Sequence, residues 1–270
     1  MRIASLAAVL TAALAAGSAL AQEVTLKIHH FLPPKGTIQA QVFEPWCEKI
    51  GKESNGRLKC QIYPSMQLGG TPPQLIDQLK DGIVDVVWTL PGYTPGRFPR
   101  VEAFELPFMM QSPEATSKAL WEYVGQYAPD EFKGIKALAF HVHGDGVFHM
   151  TNKPIKTAAD LKGLKLRAPT RTTNKFIALL GGTPVSMPVP QVGDALSKGV
   201  IDGAVVPYEV VPSVKIHELV KFHSETDPAE PAFYTSTFIF AMNKAKYDSL
   251  PADLKKVIDA NSGVTLSGEV

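Results

Sequence analysis

Two histidines stand at alternate positions of one apolar stretch, in the sequence His141-Val142-His143. Alternate residues of a β-strand lie on the same face, so both imidazoles could bind one metal ion. Protein zinc sites need three or four ligands, and neither a carboxylate nor a third histidine lies at a persuasive spacing. The adjacent His29 and His30 would face opposite sides of a strand. The sequence therefore predicts no metal site.

Carboxylates with matched spacing suggest a different chemistry, because paired acids can serve as general acid and general base. The four are Asp77, Asp85, Asp194 and Asp202. They occupy equivalent positions of an internal repeat, which favours capping and turn roles. The chain also lacks a Gly-x-Ser-x-Gly elbow, a Walker loop, a Gly-x-Gly-x-x-Gly after the first strand and a Cys-x-x-Cys. We therefore expect neither catalysis nor a cofactor, and a periplasmic hydrolase remains an alternative without a nucleophile.

The repeat consists of residues 74–85 and 191–202, which share Gln, Asp, Leu, Gly and Asp at equal spacing. Each copy predicts a helix closed by a glycine in the left-handed C′ conformation, followed at once by an apolar strand. The repeat indicates two similar α/β lobes. Ligands of open α/β sheets bind beyond the carboxyl ends of the strands, so two facing lobes would enclose a small molecule.

The wider hydrophobic pattern alternates strands and helices along the chain. Strands are predicted at 24–30, 58–63, 84–88, 135–141, 147–151, 164–167 and 201–206, and helices at 38–52, 73–80, 113–127, 171–180, 190–198 and 251–260. A long β-rich run at 233–242 could return the chain to the first lobe. We therefore expect an α/β fold with lobe I at 22–145 plus about 240–270, lobe II at 146–239, and crossing strands between them.

The first residues are typical of a secretory signal peptide at 1–21. A basic start, Met1-Arg2, precedes an apolar run at 3–16 and the small residues of Ala19-Leu20-Ala21. The run is shorter than the ~20 residues of a membrane span, so we expect cleavage, export to the periplasm and no membrane insertion afterwards. The formal net charge is +1 without a basic cluster, so nucleic acid is not an expected partner.

The chain has two cysteines, and both fall in the predicted first lobe. Cys47 lies in the predicted helix at 38–52, and Cys60 lies in the predicted strand at 58–63. A helix packed on the strand that follows it could bring the two Cβ atoms within bonding distance, and disulfides persist in exported proteins. The alternative is a pair of small buried hydrophobic residues.

Five segments occur in an order that belongs to a known family. They are YPSMQLGG at 63–70, LPF at 106–108, DLKGLKLRAP at 160–169, GTPVSMP at 182–188 and GVIDG at 199–203. Together they resemble the extracytoplasmic solute-binding proteins of TRAP (tripartite ATP-independent periplasmic) transporters. The resemblance implies a class II-like periplasmic binding protein, with mixed sheets and helices on both faces, that delivers an organic acid to the membrane subunits of a TRAP permease. It also implies that the C-terminal helices of the family are abbreviated here.

The resemblance assigns the ligand carboxylate to Arg167, since family members form a bidentate salt bridge through the arginine after Gly-Leu-Lys-(Leu/Ile). A guanidinium presents paired donors that match the two carboxylate oxygens. Arg171 follows one helical turn later. It could supply a second positive charge for a dicarboxylate or be a solvated residue at the start of a helix.

Other positions that are polar in many family members are apolar in this chain. Val147-Phe148 stands where many C4-dicarboxylate and sialic-acid receptors carry a second arginine, and Val206 stands where an asparagine is frequent. The expected walls are Phe31, Trp88, Phe148, Val189, Val206, Tyr208 and Phe233, with Thr89, Tyr93, Tyr234 or His149 as hydrogen-bonding residues. A charged ligand tail would be unpaired there, at a cost of several kcal/mol. We expect an apolar monocarboxylate, such as an aromatic or branched 2-oxo or 2-hydroxy acid, with a C4-dicarboxylate as the alternative.

Overall fold

Two five-stranded mixed sheets form the framework of the protein in a computed structural model that describes residues 23–227 and 229–270. The predicted signal peptide lies outside the described residues. Within these ranges, no helix combines the length and the apolar character that crossing a membrane requires.

The first sheet is built mainly from the first half of the chain. Its strand order is β2-β1-β3-β10-β4. The strands are β1 Val24–His29, β2 Leu58–Tyr63, β3 Val86–Thr89, β4 Ile135–Val142 and β10 Thr237–Asn243. Strand β1 runs parallel to β2 and β3, whereas β10 lies antiparallel between β3 and β4. The sheet therefore needs a strand from the far end of the chain.

The second sheet repeats this plan with the order β7-β6-β8-β5-β9. Its strands are β5 Gly146–Met150, β6 Lys165–Ala168, β7 Thr183–Ser186, β8 Gly203–Pro207 and β9 Phe222–Ser224. Strand β6 is parallel to β7 and β8, and β5 is antiparallel to β8 and β9. The edge strands β7 and β9 were not among the predicted elements, because four and three partly exposed residues are too short to show a period.

The chain crosses between the sheets twice. It passes from β4 into β5 through residues 143–145 and returns from β9 into β10. The two crossing segments meet where the Gly146 N–H donates to the Tyr234 carbonyl oxygen at 3.1 Å. The predicted two-lobed α/β fold is thereby confirmed. The predicted lobe limits remain a prediction, and β10 already begins at Thr237, slightly before the expected return at about 240.

Helices cover the outer faces of both sheets. They are α1 Glu44–Glu53, α2 Leu75–Lys80, α3 Pro113–Tyr127, α4 Arg171–Leu179, α5 Val192–Ser197, α6 Lys244–Ser249, α7 Ala252–Ala260 and α8 Val264–Glu269. A π-helical turn at Gln39–Phe43 leads into α1, and 3₁₀ turns at Pro72–Gln74 and Val189–Gln191 lead into α2 and α5. Helices α6 and α8 were not predicted, because six residues are too few for a helical period.

The internal repeat forms the same turn in both sheets. Gly82 and Gly199 close α2 and α5 with φ values of +72° and +65°, which side chains with a Cβ rarely adopt. Ile83 N–H donates to Gln78 O at 3.0 Å, and Val200 N–H donates to Ala195 O at 2.9 Å. The predicted helix–glycine–strand unit is therefore present in both copies.

The last aspartate of each repeat fastens the following strand to its neighbour. Asp85 Oδ2 accepts a hydrogen bond from Lys27 N at 2.9 Å, and Asp202 Oδ2 accepts one from Lys165 N at 2.8 Å. The earlier aspartates, Asp77 and Asp194, form ion pairs at the surface. These carboxylates hold the fold together and lie outside the cavity described below.

Cys47 on α1 and Cys60 on β2 are joined by a disulfide, with a Cα–Cα distance of 5.8 Å. Strand β2 is an edge strand of the first sheet and pairs with β1 alone. The bridge therefore attaches α1 covalently to the edge strand that follows it.

Candidate functional site

A cavity of about 210 Å³ lies between the two sheets, at the carboxyl ends of β3, β6 and β8. Trp88 reaches it from β3, Arg167 from β6 and Val206 from β8. A cavity of about 150 Å³ can already hold benzene, so this volume suits one substituted ring. The position agrees with the ligand location typical of open α/β sheets.

Arg167 is the buried cation of the cavity wall, with 2% of its surface exposed. Its Nε donates to Met187 O at 2.9 Å and its Nη1 donates to Val205 O at 3.0 Å. Nη2 is buried and forms no hydrogen bond with any described residue. A guanidinium carries five N–H donors, so two carbonyls fix the group while the Nη2 donors stay unused. A ligand carboxylate would supply the missing acceptor.

Tyr93 stands beside this cation and links the two sheets. Its hydroxyl oxygen accepts a hydrogen bond from Val189 N at 3.1 Å. Burial raises the pKa of Tyr93, against the opposing effect of the nearby Arg167 charge, so the phenol keeps its proton. Because the oxygen already accepts from Val189, the O–H remains available as a donor to an acid in the cavity.

Stacked aromatic rings form the wall contributed by the first sheet. Ring centroids lie 4.9 Å apart for Phe31 and Trp88, 4.7 Å for Trp88 and Phe238, and 4.8 Å for Phe238 and His141. Trp88 Nε1 donates to His141 Nε2 at 2.8 Å, and burial lowers the pKa of His141 to about 3. His141 is therefore a neutral member of the stack whose Nε2 is already occupied. This wall offers ring faces and no charge.

The segment that enters β10 adds a further strip of wall. Tyr234, Ser236 and Phe238 are alternate residues and all line the cavity. The Tyr234 ring packs so closely on Gly146 that a Cβ there would lie 1.9 Å from a ring carbon. Ser236 Oγ is buried and forms no hydrogen bond with the described residues.

His143, at the crossing from β4 to β5, completes the wall near the second sheet. Its Nδ1 lies 2.5 Å from Gly144 O, and Thr235 Oγ1 donates to His143 O at 2.9 Å. Burial is the main cause that lowers the pKa of His143. The two histidines of the His141-Val142-His143 stretch thus use ring nitrogens for internal hydrogen bonds. No group of three or more potential metal ligands is found in residues 23–227 and 229–270.

Six of the residues predicted from the sequence line the cavity. They are Arg167, Phe31, Trp88, Tyr93, Val189 and Val206, and the candidate hydrogen-bonding residue Tyr234 lies with them. The remaining predicted residues are not among those that line this cavity. They are Phe148, Thr89, Tyr208, Phe233 and Arg171, together with His149.

Strand alternation explains why two of these residues do not line the cavity. Phe148 lies opposite Val205 in the β5–β8 register, and its ring stacks on Phe233 at 4.6 Å in the core of the second sheet. Val206, the next residue of β8, faces the cavity instead. Thr89 likewise follows the cavity residue Trp88 and directs its hydroxyl to Pro72 O at 3.4 Å.

Three further predicted residues outside the cavity lining have polar partners. Tyr208 is 42% exposed and donates to Glu225 at 2.8 Å. His149 Nε2 lies 2.9 Å from Val206 O. Arg171 Nε donates to Glu102 Oε2 at 2.6 Å, so its charge is already paired.

Sequence reasoning also missed wall residues. His143 was considered only as a metal ligand, and Ser236 and Phe238 were not singled out. Ser236 and Phe238 could have been found from the β-rich run at 233–242. Alternate residues of an extended segment lie on one face, so Tyr234, Ser236 and Phe238 point to the same side.

The family model described as bacterial extracellular solute-binding protein, family 7, matches residues 28–265. The 2,3-diketo-L-gulonate-binding periplasmic protein YiaO of Escherichia coli (strain K12) is 30% identical over 212 residues. That match covers 77% of this chain and 63% of the relative, so the chain spans less than two thirds of the length of that protein.

Two solved structures are considerably more similar. A TRAP solute-binding protein from Rhodoferax ferrireducens T118, in complex with copurified benzoate, is 60% identical with a TM-score of 0.90, covering 91% of this chain and 76% of the other. A marine metagenome TRAP solute-binding protein specific for aromatic acid ligands, co-crystallized with 3-hydroxybenzoate, is 55% identical with a TM-score of 0.90, covering 92% and 77%.

Proposed function

The chain belongs to bacterial extracellular solute-binding protein family 7, the solute-binding family of TRAP transporters, and from this premise we propose that it is a receptor for an aromatic monocarboxylate. The receptor holds the acid group on Arg167 and the ring between the aromatic wall of the first sheet and Val206. The observation that carries this proposal is the Nη2 of Arg167, which has no hydrogen-bond partner among the described residues, in a cavity lined mostly by apolar and aromatic residues.

The charge distribution of the wall favours one carboxylate over two. Arg167 is the one lysine or arginine among the described residues that line the cavity. The wall histidines have lowered pKa values because of burial, so neither supplies a second cation. Glu209 lies at the same wall and would repel a second anionic group. A C4-dicarboxylate would therefore leave its far carboxylate unpaired.

A hydrolase lacks support in the wall. Ser236 is the one serine among the lining residues described, and its Oγ makes no hydrogen bond to a histidine or any other described residue. A serine nucleophile needs an adjacent general base. We therefore assign the protein to capture and delivery, with a TRAP permease as its membrane partner and the periplasm as its compartment, as the name of the Escherichia coli relative also suggests.

Thermal unfolding of the purified protein tests the ligand class. At a hundredfold excess over Kd, benzoate should raise Tm by about 5 to 10 °C, because a ligand that binds only the folded state stabilises it. Benzamide has the same ring without the charge and should cause no shift, and succinate should have little effect. A response to succinate without any response to benzoate or branched 2-oxo acids would overturn the proposal.

The ion pair of Arg171 and Glu102 lies outside the cavity lining, so we expect its removal to have only a small effect on benzoate affinity. It is the one ion pair among the described residues that joins the two predicted lobes, and Arg171 is half exposed. Replacing Arg171 by alanine should weaken benzoate binding about fivefold or less, the value of an exposed pair. Lys198→Ala, which breaks a pair within lobe II, is the matched control and should leave the calorimetric affinity unchanged. A loss of more than a hundredfold would instead place Arg171 at the ligand.

A further inference from the structure

The protonation of the His143 ring is fixed by its backbone neighbour. A carbonyl oxygen can only accept a hydrogen bond, so the 2.5 Å contact with Gly144 O requires the proton of the ring to be on Nδ1. In the neutral imidazole the other nitrogen, Nε2, then carries a lone pair and acts as an acceptor. The hydrogen bond from Thr235 to the His143 carbonyl holds the main chain at this point.

The Nε2 of His143 has no hydrogen-bond partner among residues 23–227 and 229–270. His143 is 8% exposed and lines the cavity, where it packs edge to face against Tyr234 at 5.1 Å and Phe238 at 6.0 Å between ring centroids. Its Nε2 forms no hydrogen bond with the described residues, whereas the corresponding nitrogen of His141 accepts from Trp88.

We propose that His143 is a specificity-determining residue that selects aromatic acids carrying a ring hydroxyl group. The proposal rests on the proposed function and adds a second polar contact at the ring. A ligand O–H donates to His143 Nε2 while the carboxylate binds Arg167. Benzoate fills the cavity but leaves this acceptor unpaired. A methoxy group is worse, because it places an oxygen lone pair against a nitrogen lone pair.

The expected preference follows from the hydrogen bond that a ligand hydroxyl group makes with this acceptor and that benzoate cannot make. Removal of one partner costs enough to change an affinity about tenfold or more. Sites built to bind a hydroxyl group reject analogues that lack it more strongly than apolar pockets reject an extra group. We therefore expect 3-hydroxybenzoate or 4-hydroxybenzoate to bind about tenfold more tightly than benzoate, and the matching methoxybenzoate to bind more weakly than benzoate.

Calorimetry with His143 variants tests the assignment. His143→Phe keeps an aromatic ring without the acceptor and should bring the hydroxybenzoate-to-benzoate affinity ratio close to one. His143→Gln places a carbonyl acceptor in the same region and should restore part of the preference. A ratio that is unchanged in His143→Phe, or a ratio of one in the unmodified protein, would overturn the inference.

The outcomes separate this inference from the proposed function. If benzoate binds without any preference for a hydroxyl group, the receptor proposal stands and the role of His143 falls. If no aromatic acid binds, the receptor proposal itself falls. Nitrogen NMR of the unmodified protein, labelled at histidine, gives a second test that does not depend on a variant folding. The Nε2 resonance of His143 should shift on binding a hydroxybenzoate and shift far less with benzoate, and equal shifts would contradict the hydrogen bond.

Discussion

Replacing Arg167 by alanine is expected to abolish the Tm response to benzoate and to weaken its binding by at least about thirtyfold. Truncating one partner of a buried, hydrogen-bonded charge pair costs about 2 to 5 kcal/mol, because the remaining charge is left in a low-dielectric site without its partner. Arg167 is almost fully buried, it lines the cavity, and its Nη2 has no hydrogen-bond acceptor among the described residues. Isothermal titration calorimetry measures the loss directly.

Two controls distinguish the loss of the anchor from the loss of the fold. The alanine variant also leaves the carbonyls of Met187 and Val205 without their donor, so its circular dichroism spectrum and its melting must be compared with the unmodified protein. Arg167→Lys retains the charge but not the planar guanidinium group. Its benzoate affinity should lie between that of the unmodified protein and that of Arg167→Ala. Unchanged benzoate affinity in Arg167→Ala would require the acid group to be held elsewhere.

Removing the Cys47–Cys60 disulfide is expected to lower the free energy of unfolding by about 3 kcal/mol, because the bridge limits the conformations of the unfolded chain. The cysteines are 13 residues apart in the sequence. Urea unfolding of the Cys47→Ser, Cys60→Ser double variant measures the change. Dithiothreitol should destabilise the unmodified protein by a similar amount and have no effect on the double variant.

The same variant should keep its ligand affinity. Neither cysteine lines the cavity, and the bridge connects α1 to an edge strand of the first sheet. Stability and binding should therefore separate at this position. A double variant that melts like the unmodified protein would show that the bridge adds no stability, and a large loss of benzoate affinity would show that α1 helps to shape the site.

The sequence predicts the parts of the fold that show a strong local period. The repeat at 74–85 and 191–202 appears twice as the same turn, because glycine conformation and the final aspartate are local properties. Strands β7 and β9 and helices α6 and α8 are set instead by packing against longer neighbours, so their few residues show no pattern of their own.

The site is predicted less completely than the fold, because a ligand wall depends on which side each strand residue faces. Family resemblance leads to Arg167, yet it could not decide that Phe148 and its strand partner Val205 turn into the core while Val206, the next residue of β8, faces the cavity. Arg171 is close to Arg167 in sequence but is held by Glu102. The three-dimensional structure is needed to see that Ser236 and His143 line the same cavity.

The two sheets contribute different parts of the proposed binding site. The guanidinium of Arg167 comes from β6, whereas the stacked rings of Phe31, Trp88 and Phe238 come from the opposite sheet. The aromatic residues can therefore be substituted without changing Arg167, the residue proposed to bind the acid group. Under the proposed function, substitutions on the aromatic side would change which ring the cavity accepts and would leave the anchor for the acid group in place.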